Sequence, residues 1–220
     1  NYVKPVGGQN LGITVGTSYQ RSSTDFTFAS ARVDALDFGE SASGYLNNPI
    51  PSTGNAFLSF FGRVNYNIAG KYLLQVSGRA DGSSKFGVNN RFGYFPAVSA
   101  GWLVSEESFL SGVDAVSLLK LRGSFGLVGN TPDDDFIYRL NYFTIQYGNN
   151  EEGIRLSNLG NPDLKWETTQ QLDLGLDFGF LDSRFTGSIN YYQKNTSDLL
   201  FPVPVSQTSG FQFTLQRSEG

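Results

Sequence analysis

Residues 172–192, LDLGLDFGFLDSRFTGSINYY, place an apolar side chain at every second position, and do so twice. Leu172, Leu174, Leu176, Phe178 and Phe180 alternate with Asp173, Gly175, Asp177 and Gly179. After Asp182-Ser183-Arg184 the pattern resumes, with Phe185, Ile189 and Tyr191 set against Thr186, Ser188 and Asn190. A period of two belongs to a strand with one face in an apolar medium and the other in a polar one. Two environments satisfy it. A soluble sheet buries its apolar face on a core, whereas an outer-membrane barrel turns that face to lipid and keeps water inside.

Strand length separates the two. The alternation recurs near residues 11–21, 56–68, 71–81, 92–104, 117–129, 168–180 and 184–197, and no segment carries a helical period of 3.6. Each run spans roughly 10 to 13 residues, longer than the 5 or 6 usual in globular sheets and matched to a tilted membrane crossing. The sequence therefore predicts an all-β, antiparallel wall of about seven spanning strands.

Composition removes most chemistry. With no His and no Cys among 220 residues, the chain lacks the commonest general base, the usual metal ligand, thiolate nucleophiles and disulfides. Neither a cofactor nor a metal is expected, and an enzyme is disfavoured. A net charge of −4 argues against nucleic acid, which needs a basic stripe. The absence of Met means residue 1 is not a natural start, so the chain reads as a piece of a longer protein.

Connections add direction. Ala69-Gly70 and Asp182-Ser183 are tight turns flanked by aromatics, while residues 22–55, 82–91, 130–167 and 198–220 form long polar connections. Short turns on one side and long loops on the other are the asymmetry of outer-membrane barrels, the short ones periplasmic. Residues 105–116 are longer than such a turn should be. Keeping both tight turns on one side requires 130–167 to begin and end outside, so 137–147 is expected to be β structure within an extracellular extension.

Three blocks carry a family resemblance. SFFGRVNYNIAGKYLLQVSGRADGSSKFGVNNRFGYFPAVSAGW (59–102), LKLRGSFGLVGN (119–130) and NPDLKWETTQQLDLGLDFGFLDSRFTGSINYYQKNTSDLL (161–200) resemble the barrel of SusC/RagA-type TonB-linked outer-membrane transporters. Residues 1–55 and 205–220 match only in character. The resemblance implies a bacterial outer-membrane location and a plugged barrel of about 22 strands. It also implies energised import of a glycan or peptide substrate, with a SusD-like lipoprotein as lid. Contact with the TonB complex would fall to regions outside these 220 residues, as would the plug and the closing strand. A passive porin or adhesin barrel, and a soluble β-sandwich binding module, are the competing readings.

Local motifs give little chemistry. Gly123, Gly126 and Gly129 lie in a strand with no following helix, so close packing explains them better than a phosphate loop. Asp133, Asp134 and Asp135 read as a solvated acidic loop tip, and Glu106-Glu107 as a solvated turn. Phe38, Tyr45 and Phe86 are loop aromatics that fit either sugar stacking or loop packing. The better lead is charge on the polar face. By strand register Arg63, Arg79, Arg122, Asp173, Asp177 and Lys194 face the lumen, where they line a substrate path, pair with one another or hold the plug.

Overall fold

A computed structural model describes residues 2–6, 9–31, 45–147, 151–211 and 213–217. Every predicted run is a strand. In chain order these are β1 (Tyr2–Val6), β2 (Gln9–Ala31), β3 (Tyr45–Ile68), β4 (Tyr72–Ser83), β5 (Phe92–Leu103), β6 (Val116–Asn130), β7 (Asn141–Tyr147), β8 (Glu151–Asn158), β9 (Glu167–Phe180), β10 (Phe185–Ser197), β11 (Leu200–Pro204) and β12 (Phe213–Arg217). Eight of them form one antiparallel sheet in the order β1-β2-β3-β4-β5-β6-β9-β10. The hairpins β7–β8 and β11–β12 stand as separate two-stranded sheets.

Register carries the alternation across the whole sheet. Leu11 opposes Tyr66, Tyr66 opposes Leu74, Leu74 opposes Ala100, Ala100 opposes Gly123, Gly123 opposes Leu174 and Leu174 opposes Tyr191. The neighbouring row runs Asn10, Asn67, Leu73, Gly101, Arg122, Gly175 and Asn190 on the opposite face. A slip of one residue anywhere would exchange the two faces.

No described element packs over the apolar face. Val15, Val76, Tyr94, Val98, Phe125, Leu174 and Ile189 are all exposed, and the buried hydrophobic residues among those described are only Phe86, Val104, Leu164 and Trp166. An apolar expanse of that extent in water would be a severe aggregation liability. A soluble sandwich would cover it with a second sheet, and no described element does so. Aromatics border the band. Tyr72 and Trp102 stack with centroids 6.4 Å apart at the turn end, and Tyr94 lies at the loop end. From Tyr94 to Trp102, at about 3.3 Å per residue and a tilt near 40°, the band is about 20 Å tall, comparable to the roughly 25 Å apolar belt of outer-membrane barrels.

The two ends of the sheet differ. At the turn end, Ala69 and Gly70 have φ of 52° and 74°, and the Asn67 side chain accepts the Gly70 N–H at 3.0 Å. Leu181, Asp182 and Ser183 also hold positive φ. Such residues cost on the order of 1 kcal/mol or more each. The chain entering β6 holds the second turn: Leu181 N–H donates to the Ala115 carbonyl at 2.9 Å and Ser183 N–H to the Ser117 hydroxyl at 2.9 Å.

Several loop expectations change. Residues 22–31 and 45–55 continue the β2–β3 pairing beyond the wall instead of forming a loop, through a register shift between Thr24 and Phe26. Ladder pairing overrides the turn signals of Asn47, Asn48 and Pro49. Residues 198–220 contain the β11–β12 hairpin. The extension between β6 and β9 does contain β structure, but β7 begins at Asn141, and Ile137 and Tyr138 instead pack on a small core of Phe86, Leu164 and Trp166. Phe86 is fully buried there, so loop packing, not sugar stacking, is its role. Phe38 and the side chain of Tyr45 lie outside the described residues.

Candidate functional site

On β3–β6, β9 and β10 the charge between the aromatic borders lies on one face. Those strands carry Arg63, Arg79, Asp81, Lys120, Arg122, Asp173, Asp177 and Lys194 there, and register puts every one of them on the face opposite Leu74 and Leu174. The six candidates read from sequence are all among them. Asp81 and Lys120, which share their parity, complete the set. Five cations against three carboxylates make this strip net positive in a chain whose overall charge is −4.

Two networks occupy the strip. On β6, β9 and β10, Arg122 Nε donates to Asp177 Oδ2 at 3.1 Å, and Arg122 Nη2 donates to Asn190 Oδ1. Beside it Asp173 accepts from Gln171 Nε2 at 2.9 Å and from Ser124 Oγ at 3.4 Å. Arg122 lies flat over Gly175, where an added Cβ would meet the guanidinium carbon at 2.6 Å. Glycine is needed here for close approach. A groove of about 620 Å³ runs across this region, with Asn65, Gln75, Lys120, Arg122, Ser124 and Asp173 on its walls.

The second network is on β3 and β4. Arg79 Nε sits 2.6 and 2.7 Å from the Asp81 oxygens, and Arg79 Nη2 donates to Ser59 Oγ at 2.9 Å. Arg63 and Lys194 make no ion pair or hydrogen bond with another described side chain. The structure therefore brings Arg122, Asp173 and Asp177 together, sets Arg63 beside Arg79, and leaves Lys194 alone on β10 opposite Gln171. Such half-exposed pairs contribute about 1 kcal/mol or less to stability where water reaches them. Their shared face says more about the medium it meets than about folding energy.

Two charged groups outside the strip escaped the sequence reading. Glu107 is not a solvated turn residue. Its carboxylate accepts from Tyr72 OH at 2.6 Å, Trp102 Nε1 at 3.0 Å and Lys71 Nζ at 3.4 Å. These donors, the tyrosine hydroxyl first, hold its pKa below the ordinary glutamate value. Lys85, within the loop core, donates to Pro132 O and Asp133 O at 2.7 Å each. Asp135 accepts from Asn55 Nδ2 at 3.0 Å, so the acidic run is a fastened segment and not a free tip. Among the described residues no group of three or more acidic side chains is arranged to hold a metal. Gly129 accommodates the Phe95 ring, which bears out close packing for the glycine run.

Comparison with known proteins agrees with this geometry. A family model described as TonB dependent receptor-like, beta-barrel matches residues 2–220, wider than the blocks that carry the resemblance in sequence. The chain is 34% identical to TonB-dependent receptor P3 of Formosa agariphila over 98% of its own length and 22% of that protein's. It is 32% identical to TonB-dependent receptor SusC of Bacteroides thetaiotaomicron, with 100% of this chain and 22% of the relative aligned. A solved structure of the RagAB peptide transporter superposes with a TM-score of 0.85 at 29% identity, covering 98% of this chain and 25% of the other. The chain thus spans about a fifth of the length of the curated relatives it matches.

Proposed function

The chain belongs to the TonB-dependent receptor-like β-barrel family and is a wall segment of a bacterial outer-membrane barrel, and from that premise we propose that it serves an energised importer of glycans or peptides. In this reading the apolar face meets outer-membrane lipid and the charged strip lines the barrel interior. Arg63, Arg79, Arg122, Asp173, Asp177 and Lys194 lie along the substrate path or against whatever fills the barrel. The long connections face outward and meet a SusD-like lipoprotein, and TonB acts on parts of the protein beyond these residues.

One observation supports the reading above the rest: the eight charged side chains between the aromatic borders of β3–β6, β9 and β10 share one face, while the opposite face is apolar and covered by no described element. A passive pore would share that segregation, but the family match over residues 2–220 favours the energised class. The likeness to a solved peptide transporter supports the peptide side of that reading.

The test is uptake by the full-length receptor in its own cells. Deleting the gene should abolish growth on one glycan or peptide class. Restoring it should rescue growth only where TonB is functional. Rescue without TonB would replace the importer with a passive pore.

A further inference from the structure

We propose that Arg63 anchors a carboxylate-binding site on the charged face, between β2, β3 and β4. The inference rests on the reading that this face lines the barrel interior. It goes beyond that reading by assigning one residue and one ligand chemistry.

Arg63 stands directly opposite Thr14 on β2 and Ser77 on β4, so two hydroxyl-bearing residues flank it on the same face. Arg79 is its diagonal neighbour, since Phe61 opposes Arg79 two residues along, which sets their Cα atoms about 7–8 Å apart. A single carboxylate, Asp81, lines the same groove as the two cations. Asp81 is taken by Arg79 Nε at 2.6 Å, and Ser59 Oγ takes Arg79 Nη2 at 2.9 Å. Arg63 is left without an anionic partner among the described residues. Two like charges at diagonal positions repel, and one further negative charge relieves them both.

The surroundings select the group. Thr14, Phe61, Arg63, Ser77, Asp81 and Phe95 line a groove of about 520 Å³. The Phe61 ring lies over Gly16, and the Phe95 ring over Gly129, where added Cβ atoms would meet them at 2.5 and 2.0 Å. The rings thereby form apolar walls of the groove. A guanidinium fork matches a carboxylate with two parallel hydrogen bonds, and the two hydroxyls add donors at its sides. A single negative charge balances the residual positive one. A phosphate dianion would overcompensate it beside Asp81.

The carboxylate can come from an Asp or Glu elsewhere in the same polypeptide or from a free ligand, and one experiment separates these sources. The full-length receptor is imaged by electron cryomicroscopy without additive, with millimolar glucuronate, and with glucose, which has the same ring but no carboxylate. A side-chain carboxylate of the protein on Arg63 in every map assigns the site to an internal partner. Density on Arg63 with glucuronate alone, lost in Arg63→Gln, assigns it to a free ligand. Arg63 without a carboxylate in any map overturns the proposal, as does glucose binding equally well. Uptake measured on the same cells keeps the two readings apart. Intact TonB-dependent import with an empty Arg63 sinks only the site, and an occupied Arg63 in a receptor that imports nothing sinks only the importer.

Discussion

Lys85 Nζ lies 3.6 Å from Asp135 Oδ1, with both side chains about nine-tenths shielded from water. The ammonium also takes the carbonyls of Pro132 and Asp133 at 2.7 Å each. One cation therefore ties the loop after β4 to the segment that leaves β6. Phe86, the next residue, is buried against Leu164 and Trp166, which return the chain to β9. The extension between β6 and β9 is thereby fastened at both ends to the same short loop.

Replacing Lys85 by Met should leave two carbonyls without their donor and Asp135 without its counter-charge. The cost should be roughly 1.5–3 kcal/mol of local stability, the usual value for charge-assisted hydrogen bonds. Hydrogen exchange on the full receptor should accelerate at residues 131–136 and remain unchanged in β3 and β4. Unchanged exchange at 131–136 would show that the ammonium fastens nothing.

The strand pattern was legible because a wall with one apolar and one polar face demands it. An apolar side chain on Leu172, Leu174 and Leu176 is required regardless of neighbours, so parity alone located seven strands. Lys120 and Asp81 belonged to the same parity and could have joined the candidates on that ground. What escaped was anything decided by contacts distant in sequence. Glu107 meets Lys71 and Tyr72 across a gap of about 35 residues, Lys85 meets the 132–135 segment about 50 residues on, and neither pairing leaves a local trace. The β2–β3 extension was masked by Asn47, Asn48 and Pro49, which mimic a loop.

Glu107 gives a pH dependence. Hydrogen bonds from Tyr72 and Trp102 and the charge of Lys71 stabilise its ionised form, so its folded pKa is lowered. A lowered carboxylate stabilises the fold above its ordinary value of 4.5, and the contribution is lost as pH falls through the folded value. Glu107→Gln should therefore loosen residues 104–116 at pH 7 and differ little from the parent once the pH is well below the folded pKa. Exchange rates of that segment at the two pH values test this. An equal difference at both would exclude ionisation as the cause.

Topology has its own test. Val88 and Ile154 are highly exposed in the long connections, whereas Asp182 is in a tight turn at the other end of the sheet. Single cysteines replacing Val88 and Ile154 should react with a membrane-impermeant maleimide on intact cells, and one replacing Asp182 should react only after lysis. Labelling of Asp182→Cys on intact cells would invert the orientation.

Leu174 sits mid-strand on the apolar face, between Gly123 and Tyr191. Arginine there should cost roughly 2–4 kcal/mol near the bilayer midplane. A folding titration of the full barrel into lipid measures it, and no loss would remove Leu174 from the membrane.

The central claim is that one face of this sheet meets lipid and the other meets water, and the neighbours Leu174 and Asp173 test it most directly. Each is replaced in turn by a spin-labelled cysteine in the full-length receptor in lipid, and collision with oxygen is compared with collision with a water-soluble nickel chelate. The account predicts that a label at 174 is relaxed by oxygen and hardly by nickel, while a label one residue earlier shows the opposite preference. Nickel accessibility at 174 equal to or above that at 173 would contradict it.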